Sequence, residues 1–132
     1  MTSTRYKVLV VDDEEPMVEI VEAMVARFGH ETIHAYSGNQ AVAVARESHP
    51  DAVVTGIMMA GGDGISAAKQ ILEILPACKI VFASAVLFDE EVRRFLIAEG
   101  FDERIMLRKP FDVTQLADAL TRAGIPSVSP KA

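Results

Sequence analysis

The chain has 132 residues, 50% of them hydrophobic and 24% charged, which suits one compact domain with a single core and not a disordered chain. A formal net charge of −6 argues against a general electrostatic grip on nucleic acid or on an anionic membrane. No apolar run is long enough to span a bilayer and no charged-then-apolar leader opens the sequence, so the cytoplasm is the expected compartment.

The first β-branched run is Lys7–Val11, nearly continuous in apolar residues as a strand covered on both faces should be. Met17, Ile20, Val21, Met24, Val25 and Phe28 then recur at three- and four-residue steps, an amphipathic helix with Pro16 in its first turn and Gly29 as its stop. A second strand is expected at Thr32–Ala35, followed by a helix from Ser37 to about Ser48 that ends before Pro50. A third strand, Ala52–Thr55, leads through a glycine-rich loop to a helix from about Gly64 to Leu75, stopped by Pro76. The fourth strand is Lys79–Ala83. The single cysteine, Cys78, beside this apolar run, reads as a reduced core thiol. A helix capped by Asp89 and ending at Gly100 follows, then a fifth strand at Arg104–Leu107. The last helix is capped by Asp112 or Thr114 and ends near Gly124.

Strand and helix alternate five times with short connections, which calls for right-handed crossovers and a parallel sheet between helical layers. The expected fold class is therefore α/β, a five-stranded doubly wound sheet of order 2-1-3-4-5, with any ligand site beyond the carboxyl ends of the strands. Residues 1–124 are taken as the domain, and residues 125–132, with two prolines and two serines, as a loosely ordered tail.

Four segments converge on that rim. Asp12, Asp13, Glu14 and Glu15 follow the first strand, and Gly56-Ile57-Met58-Met59-Ala60-Gly61-Gly62-Asp63-Gly64 follows the third. Ser84-Ala85 follows the fourth and Lys109-Pro110-Phe111 the fifth. Two carboxylates, a hydroxyl and an ammonium would share one pocket.

Val10-Val11-Asp12-Asp13-Glu14, Ile57-Met58-Met59 with Gly61 and Asp63-Gly64, Ser84-Ala85, and Lys109-Pro110-Phe111 together resemble the receiver domain of bacterial response regulators, over roughly residues 5–123. Each piece is a weak signal alone; all four, in order and each at its strand end, are specific. The resemblance implies the flavodoxin-like receiver fold and phosphoryl transfer from a histidine kinase to an aspartate at the end of strand three. It places Asp12 and Asp13, with the backbone carbonyl of Met58, as ligands of Mg²⁺, a hard cation suited to oxygen donors. It makes Ser84 the hydroxyl that bonds the phosphoryl group and Lys109 the ammonium that neutralises it, with Lys109–Pro110 a candidate cis peptide. It also implies a protein partner, a kinase or a downstream effector, through the face of helix four, strand five and helix five.

Two main departures and a smaller one stand against that pattern. The acceptor position is Gly56, which is neither nucleophile nor ligand, so no catalytic residue is assigned. Met106 stands three residues before Lys109, at the switch position where an aromatic is usual, and Ala60 replaces a usual proline. With two carboxylates in place of three, Mg²⁺ affinity should fall by roughly one to a few kcal/mol, leaving Lys109 to pair directly with Asp12 or Asp13.

Asp12 and Asp13 alone would be helix-start acids favoured by the macrodipole, and Asp63 an organiser of its glycine turn. Thr55 should point to the opposite sheet face, and His30, His34 and His49 are scattered without metal spacing and read as surface or loop residues. Arg93, Arg94, Arg104 and Arg108 put basic charge near the helix-four face, with a solvated edge as the default.

Three functional classes follow. The leading one is a receiver-like, non-enzymatic module that signals by phosphorylation-independent protein contacts, acting through a partner or a homodimer. The second is an ordinary phosphorylated receiver whose acceptor has been substituted by Gly56. The third, a small-ligand or phosphohydrolase domain on the same fold, lacks both a phosphate-cradling glycine loop after strand one and an Asp-x-Asp start.

Overall fold

The computed structural model describes residues 5–127. In chain order the elements are β1 (Lys7–Val11), α1 (Glu15–Arg27), β2 (Glu31–Ala35), α2 (Gly38–Ser48), β3 (Ala52–Thr55), α3 (Gly64–Ile74), β4 (Lys79–Ser84), α4 (Glu90–Ala98), β5 (Met106–Arg108) and α5 (Val113–Ala123). The sheet is five-stranded in the order β2-β1-β3-β4-β5, as the alternation required, and every pair is parallel.

Strand composition explains the layering. Val8, Leu9, Val10 and Val11 are consecutive and all buried, as are Ala52–Thr55 and Ile80–Ser84. Side chains alternate across a strand, so unbroken burial means both faces of the sheet are covered. Helix α1 packs against α5, and α2 against α3. Cys78 is buried, and burial pushes its thiol up to about 11, so it stays a protonated core group.

The register brings Val11 beside both Ala35 and Thr55, and Thr55 beside Phe82. The carboxyl ends of the three central strands therefore finish nearly level. That common rim is what allows residues far apart in sequence to meet.

Several boundaries differ from expectation. Residues Glu103–Ile105 form a single 3₁₀ turn, and β5 begins only at Met106, two residues later than the apolar run suggested. The cause is local. Asp102 accepts from the Arg104 backbone N–H at 2.8 Å and binds its guanidinium at 2.8 Å, so the side chain diverts the backbone from extension. The same pairing holds the Asp102 carboxyl below the usual range and raises Arg104. A second 3₁₀ turn, Ala85–Phe88, follows β4 where none was expected. Helix α5 is capped by Asp112 with Gln115 completing a capping box, which decides between the two candidate caps.

His30 is a larger correction. It lies in the loop before β2, as one of the two expected placements, but it is buried and not at the surface. Its Nδ1 accepts the Tyr6 backbone N–H at 3.3 Å, and its Nε2 lies 3.0 Å from the Pro126 carbonyl. Ile125 is buried as well, so the start of the expected tail is packed, while residues 128–132 lie outside the described residues.

Candidate functional site

The four rim segments meet in an open cleft of about 330 Å³. Its walls include Asp12, Gly56, Met58, Met59, Ser84 and Lys109, with Asp13 at its edge. All of the site residues expected from the sequence except Met106 are thus brought to one place.

Asp12 sits at the end of β1 and is buried. Its Oδ1 accepts the Glu14 backbone N–H at 3.0 Å, which fixes the carboxylate as the chain turns into α1. Its Oδ2 accepts from Lys109 Nζ at 2.7 Å, the direct pairing foreseen for a pocket short of one carboxylate. The Asp12 side chain is 9% exposed and that of Lys109 22%, so the pair is screened much less than a surface ion pair.

Asp13 is exposed, and its Oδ2 accepts the Ala60 backbone N–H at 3.2 Å. That bond ties the loop after β1 to the loop after β3. Ser84 ends β4, and its hydroxyl accepts the Val86 N–H at 3.3 Å, starting the 3₁₀ turn. Its carbonyl accepts the Lys109 N–H at 3.3 Å, which extends the β4–β5 pairing to the lysine. The Lys109–Pro110 peptide is cis, as expected.

Gly56 follows β3 and donates its N–H to the Val11 carbonyl at 3.1 Å. A Cβ built there would meet Met59 Sδ at 3.4 Å, Met59 Cγ at 3.5 Å and the Ala83 carbonyl oxygen at 3.9 Å. These are ordinary contacts, so the backbone has room for a side chain, and the Met59 thioether leans over the space one would take. Met59 was not singled out from the sequence. Its place in the loop was readable, but the direction of its side chain was not.

Gly64 is a glycine for a different reason. A Cβ there would lie 1.7 Å from the Gly56 carbonyl oxygen, while its N–H bonds the Ile57 carbonyl at 2.7 Å. The start of α3 is thus pressed directly onto the backbone of position 56. Asp63, expected as an organiser of its glycine turn, is the N-cap of this helix and accepts the Ser66 N–H at 2.7 Å. Thr55 is buried, bonds the Gly56 carbonyl at 2.9 Å and lies outside the cleft wall.

Met106 lies apart from the cleft, half-buried at the start of β5 beside Phe82. It lines a second depression of about 400 Å³ with Phe88, Arg108, Gln115, Asp118 and Arg122. The Arg108 guanidinium stands over the Phe88 ring at 5.4 Å, a contact that no spacing or motif signals. The other three arginines near helix α4 are engaged locally as well. Arg93 donates to the Leu87 carbonyl at 2.6 Å, Arg94 pairs with Glu90 at 3.5 Å, and Arg104 pairs with Asp102.

The donor set was tested against Mg²⁺. It offers two carboxylates and a carbonyl, and one oxygen of Asp12 already carries the Lys109 ammonium. No group of three or more His, Cys, Asp or Glu residues is placed to hold a metal among the described residues. The residues present are a poor fit for a hard cation that takes six oxygens and holds its waters tightly.

A doubly wound parallel sheet with adjacent acids after β1, a hydroxyl after β4 and a lysine before a cis-proline after β5 defines a receiver-type phosphosignalling fold. The family described as the response regulator receiver domain matches residues 8–121, and the chain belongs to it. Among solved structures, a response regulator receiver domain protein from Clostridium thermocellum superposes with a TM-score of 0.78 at 24% identity, covering 89% of this chain and 93% of that one. The chemotaxis response regulator CheY4 of Vibrio cholerae gives 0.80 at 24% identity, covering 91% and 99%. The response regulator PhyR from Brucella abortus gives 0.75 at 25% identity, covering 94% of this chain and 49% of that one. Receiver domains of two-component systems are in general non-enzymatic signalling modules that bind Mg²⁺ at an acidic pocket and engage kinases or effectors.

Proposed function

We propose that this receiver signals by protein contacts that do not require phosphorylation of its own chain. One observation carries the reading: position 56, at the carboxyl end of β3 and in the centre of the cleft, is glycine. Phosphoryl transfer to a receiver needs a carboxylate oxygen to attack phosphorus, and glycine supplies none. Asp63, the nearest spare acid in the loop, is spent on capping α3.

The remaining roles follow from the same geometry. Asp12 and Asp13 and the Met58 carbonyl are the metal-type positions, weakened because Lys109 already neutralises Asp12. Ser84 and Lys109 are the phosphate-pocket positions, here closed into local bonds to Val86 and Asp12. At the switch position, Met106 offers a flexible thioether in place of a ring with two defined rotamers. The output face is α4–β5–α5, where Phe88, stacked on Arg108, presents an aromatic that is 60% exposed. A partner docking on that face reads a fixed shape and not a phosphorylation-dependent one. Residues 1–124 act as the signalling unit, with the cytoplasm as its compartment and a homodimer as an alternative to a distinct partner.

Beryllofluoride, which attaches to an acceptor carboxylate as a phosphoryl mimic, provides the test. With Mg²⁺ present it should leave the amide resonances of Ser84, Val86 and Met106 in place. Large shifts at those residues would overturn the reading.

A second reading has a specific observation behind it: the room for a Cβ at Gly56 and the retention of Asp12, Asp13, Ser84 and Lys109 around it. Under that reading the chain is an ordinary receiver whose acceptor was substituted. A glycine codon at position 56 in the genomic sequence removes it.

A further inference from the structure

Next to the cleft, across Ile57 and Met58, an open groove of about 530 Å³ runs between α3 and α4. Ser66, Lys69, Gln70 and Glu73 line it from α3 at i, i+3, i+4 and i+7. The groove therefore follows two turns of that helix, about 10 Å. Phe95 and Glu99, one turn apart, face them from α4.

The floor is apolar and unusually open to water. Met58 is 74% exposed and Phe95 53%, two of the large hydrophobic residues that stand in solvent among the described residues. Exposed Met and aromatic side chains in a concave surface mark an association site more often than an isolated surface residue does. The rim carries Asp63, Glu73 and Glu99 against Lys69 alone, three acids to one base and so a net charge of −2. Lys69 is already committed to Glu99 across the groove, and Glu73 has no ion-pair partner among the described residues.

We propose that this groove is a docking site for a basic amphipathic helix of a partner protein. Apolar side chains on one face of that helix would seat on Met58, Ile65 and Phe95, with Lys or Arg at its margins meeting Glu73, Glu99 and Asp63. The charge selects the occupant. A second copy of this chain, itself at −6 with the same acidic rim, is repelled, and nucleic acid is excluded on the same ground. The groove is too open to enclose a small molecule, which favours an elongated segment lying along α3. It shares α4 with the α4–β5–α5 face but no residue with the depression around Met106, and its occupancy does not depend on whether position 56 takes phosphate.

The test is a titration of the isotopically labelled full chain with two synthetic helical peptides. One carries Leu at i, i+3, i+4 and i+7 with Lys at the margins, and the other has Glu in place of each Lys. The Lys peptide should shift the amide resonances of residues 65–73 and 95–99, with a Kd that rises with salt. Phe95→Ala and Glu73→Lys should each weaken it by about tenfold or more. Both side chains are exposed, so the variants keep the parent fold, which their spectra report directly. Equal response to both peptides, shifts confined to other elements, no response, or indifference to both variants would each overturn the proposal.

Discussion

Restoring a carboxylate at position 56 gives a prediction whose size can be worked out. In Gly56→Ala, the new Cβ meets Met59 at ordinary contact distance. Loss of glycine's freedom in the unfolded chain should then stabilise the protein by about 0.4–1 kcal/mol. Gly56→Asp gains the same backbone term but adds a negative charge to a pocket lined by Asp12, Asp13, Glu14 and Lys109, already net −2. Lys109 balances Asp12, so the repulsion to weigh is that with each exposed carboxylate. At roughly 6 Å, that repulsion is about 3 kcal/mol for an effective dielectric near 20 and under 1 kcal/mol in bulk water. Because Asp13 is exposed, the expected penalty lies between these, about 1–2 kcal/mol relative to the alanine variant. Urea denaturation of the two variants at neutral pH, without and with Mg²⁺, reads it out. Mg²⁺ should stabilise Gly56→Asp and return most of the difference, while leaving Gly56→Ala and the parent nearly unchanged. Equal stability of the two variants without metal, or equal stabilisation of all three proteins by Mg²⁺, would refute the charge-counting argument.

Four further outcomes can be checked together. Lys109→Gln leaves the buried Asp12 carboxylate without its cation and should cost about 1–3 kcal/mol in urea denaturation, while raising Mg²⁺ affinity measured by calorimetry. Gly64→Ala forces a Cβ to within 1.7 Å of the Gly56 carbonyl and should lower stability by more than about 3 kcal/mol. By contrast Gly100→Ala, with nothing within 4 Å but a φ of +100°, should cost only about 1 kcal/mol of backbone strain by thermal denaturation. Burial lowers the His30 pKa by desolvating the charged ring, and the Pro126 carbonyl at Nε2 offsets part of that shift. The folded state therefore favours the neutral ring, so its contribution is complete above the unfolded value of about 6.5 and is lost as pH falls through the lower folded value. Arg5 and Asp51 are the charges that face the ring, the first opposing its protonation and the second favouring it. Replacing His30 by Asn should flatten the stability–pH curve just below neutrality.

Most of the fold was legible because parallel strands and amphipathic helices leave long apolar signatures. Lys7–Val11 and Ala52–Thr55 fall where the apolar runs put them, and Ser37, Asp89 and Asp112 cap the helices that follow them. What escaped was decided by single side chains. The Asp102–Arg104 pairing shortens β5, and Ser84 turns the chain after β4. The burial of His30 was not legible, since nothing local reveals that Tyr6 and Pro126 converge on its two nitrogens. At the site, residue types and strand ends sufficed to gather Asp12, Ser84 and Lys109 around Gly56. Counting charges led to a pairing of Lys109 with Asp12 or Asp13, and the structure selects Asp12. Met59 over Gly56, Arg108 over Phe88 and the α3–α4 groove depend on side-chain direction, which periodicity alone does not carry.

This receiver keeps the frame of its family, and the function proposed for it requires that Gly56 take no phosphoryl group. Intact-protein mass after incubation with acetyl phosphate and Mg²⁺ tests it most directly, with Gly56→Asp alongside as the variant that regains a carboxylate. The account predicts an unchanged mass for the parent chain. A parent chain that gains the mass of one phosphoryl group would contradict it.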